Sequence, residues 1–519
     1  MRSQLKGARM LRKKKNPFFI EKVISELTNI HLGLEKKDFP KLLVGSHGGH
    51  VEILLRQLLL KSYANFSTEI FRSLGSGKSP SLPIPQVWAD SLESSGIKLN
   101  RFGSKLALAK LSVICSLKGI AKTLILLLQY KLKDHPGKPY VVFLGLNSNN
   151  LPVTGKKKSY DIISWYKQSQ IKKTEVKKIW AQINYIGNSN LHHVMYSRII
   201  FPRITKISNY FKFLIKSVKS IFSLICGLAS GKWWYGFLFE ESVLFNYVSV
   251  FSQQDLARDY FFNNSNWFIK PLWTYEVERK GLEVSLYYYS TNIESIIFFG
   301  HERADTYGLK IMKWKNIIVW DKQQMEYLKK YSPNAHYKIA GIIDFSDSAK
   351  LFQIPSQGYN IAIFDVTPAR PTKFTSLGVA IAPYYSEKLA IQFFMDIKTS
   401  LNDSNINLLW KQKRIVGRRF ISKGFINKRG CIINKSFVTV VPEISARRLI
   451  DKCDAVISMP FTSTAILGKK LGKPSIFYDA SSSINTNESH DIPVLKSKDE
   501  LKSWRISLDV EKTLSINVK

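Results

Sequence analysis

The sequence predicts an α/β protein of two domains, each built on a parallel sheet. Three observations lead there. The 519 residues exceed what one hydrophobic core ordinarily organises, so two or three domains are expected. From Leu282 onward, short apolar runs alternate with helical segments, the pattern of parallel strands joined by crossover helices. A change of character near 345–358, with Pro355, Ser356 and Gly358, marks a boundary between an N-terminal domain over 1–350 and a C-terminal domain over 351–519.

Strands are expected at 284–289, 295–299, 316–320 and 337–341, with a helix at 322–331, and then at 359–365, 407–410 and 437–441. Further on, 443–452 reads as a helix, 455–458 as a buried strand, 465–471 as a helix and 475–478 as the next strand. Gly472 stops the second of these helices and Pro474 prevents its continuation.

The hydrophobic fraction of 45% and the aromatic fraction of 13% are enough to bury large cores, which excludes a disordered chain. The charge is lopsided: 77 Lys+Arg against 39 Asp+Glu leaves a net +38. Such a field attracts polyanions: nucleic acid, an anionic membrane surface or a phosphorylated substrate. A solvated lysine-rich surface accounts for part of it. No zinc finger, RNA-recognition signature or helix-turn-helix pattern is present, so a nucleic acid is not the expected partner. The four cysteines, Cys115, Cys226, Cys431 and Cys453, form no CxxC pair, so neither a disulfide framework nor a zinc site is supported and a reducing compartment fits. Arg12–Lys15 has no long apolar run behind it, which argues against a secretory leader. No uninterrupted apolar span of about 20 residues is seen, so no transmembrane helix is expected.

In the N-terminal half, 41–45 reads as a strand and 51–63 as a helix, joined by Ser46-His47-Gly48-Gly49-His50, a Gly-rich turn that could approach phosphate or be an ordinary tight turn. Two helices have a basic amphipathic character. One covers 105–133, with Lys105, Lys110, Lys118 and Lys122. The other covers 211–228, with Phe213, Leu214, Val218, Ile221, Phe222 and Ile225 on one stripe and Lys212, Lys216 and Lys219 opposed. Trp233-Trp234-Tyr235 follows. Basic helices beside aromatics suit a membrane interface, and equally a core helix with a solvated lysine face.

The sharpest chemical signal lies between Cys453 and Asp479. Strand 455–458 ends in Ser458 and is followed by Met459-Pro460-Phe461-Thr462-Ser463-Thr464 at a helix start. One hydroxyl can cap the first backbone N–H groups. The remaining N–H groups and hydroxyls, at the carboxyl end of a parallel strand, are suited to a phosphate. Strand 406–410 likewise ends in Lys411-Gln412-Lys413-Arg414, cations that could offset a diphosphate or a leaving nucleotide. Donor-binding candidates are therefore Lys411, Lys413, Arg414, Ser458, Thr462, Ser463 and Thr464. Phe299-Gly300-His301-Glu302 offers His301 or Glu302 as a general base for a sugar hydroxyl, although neighbours on an extended chain point opposite ways. No DxD motif follows an apolar strand, since Asp344 and Asp347 have the wrong spacing, so chemistry without a metal or other cofactor is expected.

Met459-Pro460-Phe461-Thr462-Ser463-Thr464-Ala465, preceded by Cys453–Ser458 and followed by Gly472-Lys473-Pro474, resembles the bacterial polysaccharide-biosynthesis proteins named for a Pro-Phe-Thr-Ser motif. More distantly, the layout is similar to GT-B glycosyltransferases that use CMP-activated sialic or Kdo-type sugars. That resemblance implies two Rossmann-like domains facing a cleft, with the basic helices in the N-terminal half. Ser463-Thr464 matches the family's Ser/Thr pair at a helix start. Its His-Pro pair is replaced by Lys411-Gln412-Lys413, which leaves CMP, UDP and GDP open as the donor nucleotide. The resemblance further implies a role in surface polysaccharide or lipopolysaccharide assembly, and the expected activity is transfer of a sugar to a glycan or lipid-linked acceptor. With the basic amphipathic helices and no leader expected, the protein reads as cytoplasmic and peripheral on the inner membrane face. The competing readings are a CDP-polyol phosphotransferase, a non-catalytic assembly factor and a basic nucleic-acid binder.

Overall fold

The computed structural model describes residues 23, 26–27, 30–35, 38–39, 48–61, 69–70, 77–130, 139–153, 158–183, 194–197, 200–266, 269–291, 309, 312–348, 350–368, 384, 386–412, 423–433 and 437–517. They fall into two compact units. One gathers described residues within 1–148, 169–288 and 305–340; the other gathers those within 149–168, 289–304 and 341–519.

The first unit carries strands β1 (Tyr140–Leu146), β2 (Lys178–Ile183), β3 (Val194–Ser197), β4 (Asp259–Asn263), β5 (Glu283–Tyr287), β6 (Asn316–Val319) and β7 (His336–Ile339). They form one sheet in the order β3-β2-β1-β4-β5-β6-β7. Every pairing in it is parallel. This is the Rossmann order with one strand added at the far edge. β4 and β6 are buried throughout, as strands covered by helices on both faces must be.

The second unit holds β8 (Tyr359–Phe364), β9 (Ile406–Lys411), β10 (Phe437–Val440), β11 (Ala455–Ser458), β12 (Ser475–Tyr478), β13 (Glu488–Ser489) and β14 (Ile492–Leu495). Their order is β10-β9-β8-β11-β12-β14-β13, parallel except for the antiparallel edge strand β13. The chain lays down β8, adds β9 and β10 on one side, then returns to place β11 on the other. The two Rossmann-like sheets expected from the sequence are thus both present.

Several local expectations change. The turn expected over 46–50 is a helix start: Gly48–Lys61 is helical, and His50 stacks on Tyr275 with ring centroids 4.8 Å apart. Val51, Leu54, Leu55 and Leu59 form its buried stripe, and the helix starts three residues before the expected position. Ser46 and His47 lie outside the described residues, as do the strand expected at 295–299 and the turn around His301 and Glu302. The helix expected from Glu443 begins at Ala446, because Ser445 caps it: its Oγ accepts from Arg448 N at 3.2 Å.

The basic helices show which face is buried. Arg101–Leu128 and Ile207–Ala229 touch each other, and both pack on the Trp234–Ser249 helix. From the sequence, their large apolar stripes suit a membrane interface or a core equally. In the structure the inward faces are mostly small: Ser104, Ser112, Ser116, Gly119 and Thr123 with Leu108 and Leu126 on one helix, and Ser217, Ser220 and Gly227 with Phe213 and Leu224 on the other. Close approach is what requires them. A Cβ on Gly227 would stand 2.2 Å from Tyr235 Cδ1, and one on Gly236 would stand 2.4 Å from the Ser112 carbonyl oxygen. Ser112 Oγ donates to Trp233 O at 2.6 Å, and Asn246 Nδ2 donates to Ser220 Oγ at 2.9 Å. Trp233 and Trp234 are half-buried against one another, and Tyr235 is buried against Gly227. Arg101–Leu128 is also long and apolar enough to cross a membrane by length and composition, contrary to expectation. Its last 18 residues carry only Lys118 and Lys122 as charges.

Candidate functional site

In an open parallel sheet, ligands settle where the order of strand addition reverses, outside the carboxyl ends of the strands. In the second unit that point lies between β8 and β11. β8 ends at Phe364 and is followed by Asp365; β11 ends at Ser458 and is followed by Met459-Pro460-Phe461-Thr462. The turn singled out in the sequence therefore stands at the topological switch point.

Three contacts hold this turn. Met459 N donates to Phe364 O at 3.0 Å, the Val366 N–H points at Met459 Sδ at 3.3 Å, and the buried Tyr384 hydroxyl donates to Pro460 O at 2.6 Å. Beside it, Trp410 Nε1 donates to the buried Asp365 carboxylate at 3.0 Å. Phe461 takes the left-handed conformation, with φ 58°, which costs a non-glycine residue about 1–2 kcal/mol. Its ring packs edge-on against Phe477 at 5.5 Å, which helps to hold that backbone in place.

The hydroxyls behave differently from the simple capping expectation. Thr462 occupies the cap position of the Ser463–Lys470 helix but makes no side-chain cap bond. Its Oγ1 turns back and donates to Met459 O at 3.2 Å. Thr464 Oγ1 lies 3.0 Å from Thr462 Oγ1 and 2.8 Å from Ser458 Oγ. A hydroxyl has one proton to give. With the Thr462 proton spent on Met459 O, Thr464 donates to Thr462 and Ser458 donates to Thr464. The result is a directed chain, Ser458 to Thr464 to Thr462 to Met459 O, in which each bond polarises the next. Ser463 stands apart from it. Its Oγ accepts from Thr291 N at 3.0 Å and meets Thr291 Oγ1 at 3.1 Å. The hydroxyls thus brace the turn, while the first-turn N–H groups of the helix receive no side-chain cap from Thr462. Those N–H groups, at the positive end of the helix dipole, are the donors an anion would meet.

The cations are placed less simply. Lys411, Phe364 and Ser458 lie in one row across β9, β8 and β11, so Lys411 and Ser458 are two strand spacings apart, about 10 Å at the backbone. The Lys411 ammonium reaches Pro442 O at 3.4 Å and Gln412 O at 3.5 Å, on the β10 side. The structure thus brings Ser458, Thr462, Ser463 and Thr464 together at one strand end, with Lys411 on the same edge but directed away from the hydroxyls. Lys413, Arg414, His301 and Glu302 lie outside the described residues. Cys453, at the foot of β11, is inert by comparison, because burial pushes its thiol up to about 12.

Sequence reasoning missed Thr291, Asp365 and Tyr384. Asp365 had a usable signal, a carboxylate placed directly after the apolar run Ile361–Phe364. Thr291 had none, being 172 positions from its partner Ser463.

Pro460-Phe461-Thr462-Ser463 is the motif of the polysaccharide biosynthesis PFTS motif proteins, and that family matches residues 216–505, more than half of the chain. The chain belongs to this family. In this PFTS motif protein the four motif residues form the turn at the switch point of the second sheet. Among curated proteins, none shows significant similarity to the chain. Several solved structures match it at low identity and low TM-score. An Escherichia coli structure described as trehalose-6-phosphate bound with UDP-2-fluoro glucose is 9% identical, with a TM-score of 0.34, over 70% of this chain and 90% of that one. A trehalose-6-phosphate synthase studied with bisubstrate glycomimetics is 10% identical, with a TM-score of 0.33, over 70% and 89%. A glycosylation-associated protein complex from Streptococcus agalactiae is 13% identical, with a TM-score of 0.27, over 54% and 55%. The two sheet orders carry the fold assignment.

Proposed function

We propose that this PFTS motif protein is a GT-B-type glycosyltransferase that moves a sugar from a nucleotide-activated donor to a glycan or lipid-linked acceptor in surface polysaccharide or lipopolysaccharide biosynthesis. The observation that carries this reading is the helix start at Ser463, left uncapped by Thr462 at the switch point of a Rossmann-like sheet, in a chain of a polysaccharide-biosynthesis family. The donor phosphates would lie on the N–H groups of Ser463, Thr464 and Ala465, where the helix dipole offsets the charge of the departing nucleotide. The braced hydroxyl chain keeps that turn in one geometry before the donor arrives. Lys411, Lys413 and Arg414 would supply positive charge at the same sheet edge, and His301 or Glu302 would take the acceptor proton. CMP, UDP and GDP remain the candidate nucleotides. The first unit would receive the acceptor, at the cytoplasmic face of the membrane.

A thermal-shift panel of CMP, CDP, UDP, GDP and their sugars tests this. One nucleotide class should raise the melting temperature. Ser463→Asp places a carboxylate at the helix start, which suits the dipole but repels phosphate, so it should weaken that nucleotide at least tenfold while the ligand-free protein remains folded. No response to any nucleotide would sink the donor site.

A further inference from the structure

We propose that the outer face of the paired Arg101–Leu128 and Ile207–Ala229 helices is a lipid-docking surface, on which the protein lies flat against an anionic bilayer. The inference rests on the membrane part of the function proposed above and names the surface and manner of contact.

Of the 22 large apolar side chains exposed among the described residues, eight lie on the first helix and six on the second. Scattered singly, exposed leucines need no explanation; gathered on two adjoining helices, they form a patch that does. Phe102 is 78% exposed, Leu128 85% and Phe222 69%. On the first helix the outward residues Leu106, Val113, Leu117 and Leu124 recur with helical spacing, as Phe211, Ile215, Val218 and Ile225 do on the second. Both sets stand opposite inward faces rich in Ser and Gly, which also bury Leu108, Leu126, Phe213 and Leu224. A water-facing helix layer has the reverse arrangement, whereas small residues between helices and large apolar residues outward are what a hydrocarbon environment selects.

Charge identifies the occupant. Neither helix contains an acidic residue, and together they carry Arg101 and seven lysines. Lys105, Lys110, Lys118, Lys212 and Lys219 are exposed. Long lysine stems can lie along the apolar face while their ammonium groups reach phosphate headgroups. A second copy of this chain is the poorer fit, because a twofold contact would press these cations against their own copies. The manner of contact follows from the backing. Both helices lie against the Trp234–Ser249 helix, which is buried over most of its length. One side of each is thus covered by protein, so the contact we infer is with the exposed face, lying in the interface plane.

The full-length protein would be floated with phosphatidylglycerol-containing vesicles and with pure phosphatidylcholine vesicles. It should float with the anionic vesicles. Leu117→Ser with Phe222→Ser, and separately Lys118→Glu with Lys219→Glu, should each reduce the bound fraction at least tenfold. Because those positions are exposed, the variants should keep the wild-type melting temperature. As a second readout, Phe222→Trp should add fluorescence that brominated lipids quench. Three results would overturn the proposal: wild-type protein left in the dense fraction, variants that float like wild type, or an added tryptophan that is not quenched. A wild-type dimer that Leu117→Ser with Phe222→Ser separates, without any flotation, would do the same and assign the face to a second copy. The nucleotide-induced thermal shift is measured on the same variants. Its loss with flotation intact condemns the donor site alone, and lost flotation with the shift intact condemns this surface alone.

Discussion

Ser463 Oγ accepts a hydrogen bond from the backbone N–H of Thr291 at 3.0 Å, joining the family motif to a residue 172 positions earlier. Thr291 is almost fully buried, so Ser463→Ala removes the acceptor of a buried N–H and should cost about 1–3 kcal/mol. Thr291→Val keeps the N–H bond and loses only the hydroxyl contact, so it should cost less, about 1 kcal/mol. Urea denaturation of both variants checks the order. A Thr291→Val penalty larger than that of Ser463→Ala would contradict the assignment of the N–H as the main tie.

Gly227 lies so close to Tyr235 that any side chain must displace the ring. Gly227→Ala should lower stability by about 1–3 kcal/mol, in the manner of an overpacked core, despite improving helix propensity. Gly231, which has open space around it but a φ of 75°, provides a contrast in which backbone conformation alone opposes alanine. Melting temperatures of Gly227→Ala and Gly227→Ala/Tyr235→Leu separate the causes: the second change should recover part of the loss if the ring contact is responsible.

Burial at the start of β4, with Glu283 nearby, pushes the Asp259 carboxyl from 3.8 up to about 7. Its Oδ2 accepts from Ser285 Oγ at 2.8 Å, and its Oδ1 has no hydrogen-bond partner. Between about pH 4 and 7 the folded protein holds this proton and the unfolded chain does not, so the group's contribution to stability falls as pH rises through that window. Asp259→Asn keeps an acceptor for Ser285 and removes the charge. The variant should therefore melt above wild type at pH 8, with the difference shrinking towards pH 5. A difference that is constant or grows in acid would refute the raised carboxyl.

Trp410→Phe removes the indole donor to Asp365 beside the switch point. A lost bond to a buried carboxylate should cost about 1.5–3 kcal/mol. If Asp365 also helps to set the end of β8, nucleotide affinity in the thermal-shift panel should weaken as well. Unchanged stability would mean that the carboxylate finds another donor.

Five strands of the second sheet were legible because each is a short, nearly continuous apolar run: β11 and β12 fall on the residues expected, and β8, β9 and β10 within one of them at either end, whereas the short strands β13 and β14 were not expected. The strand order was not legible. β8 pairs with both β9 and β11, and nothing local to Ile361 specifies Leu408 and Ala455 as its neighbours. The turn after Ser458 was recognisable by its motif, but the direction of its hydroxyl chain depends on Thr462 turning back to Met459 O, which is a matter of three-dimensional geometry. Which helix face is buried was left open by the sequence for a definite reason. A large apolar stripe is the usual mark of a core-facing side, and here Phe222 and Leu117 point outward while Ser220 and Ser116 point inward.

The serine and glycine seams have a further consequence. A layer held together by the hydrophobic effect loosens when hydrocarbon replaces water around it, because its greasy interior is no longer sheltered from anything. The Trp234–Ser249 helix and its two neighbours are joined in part by close backbone approach and by hydrogen bonds such as Ser112 to Trp233 O and Asn246 to Ser220. Contacts of that kind keep their strength in either solvent. On the proposed lipid-docking surface, the same tertiary arrangement would leave the bilayer and return to it without repacking, which would make membrane residence a reversible partition rather than a one-way insertion.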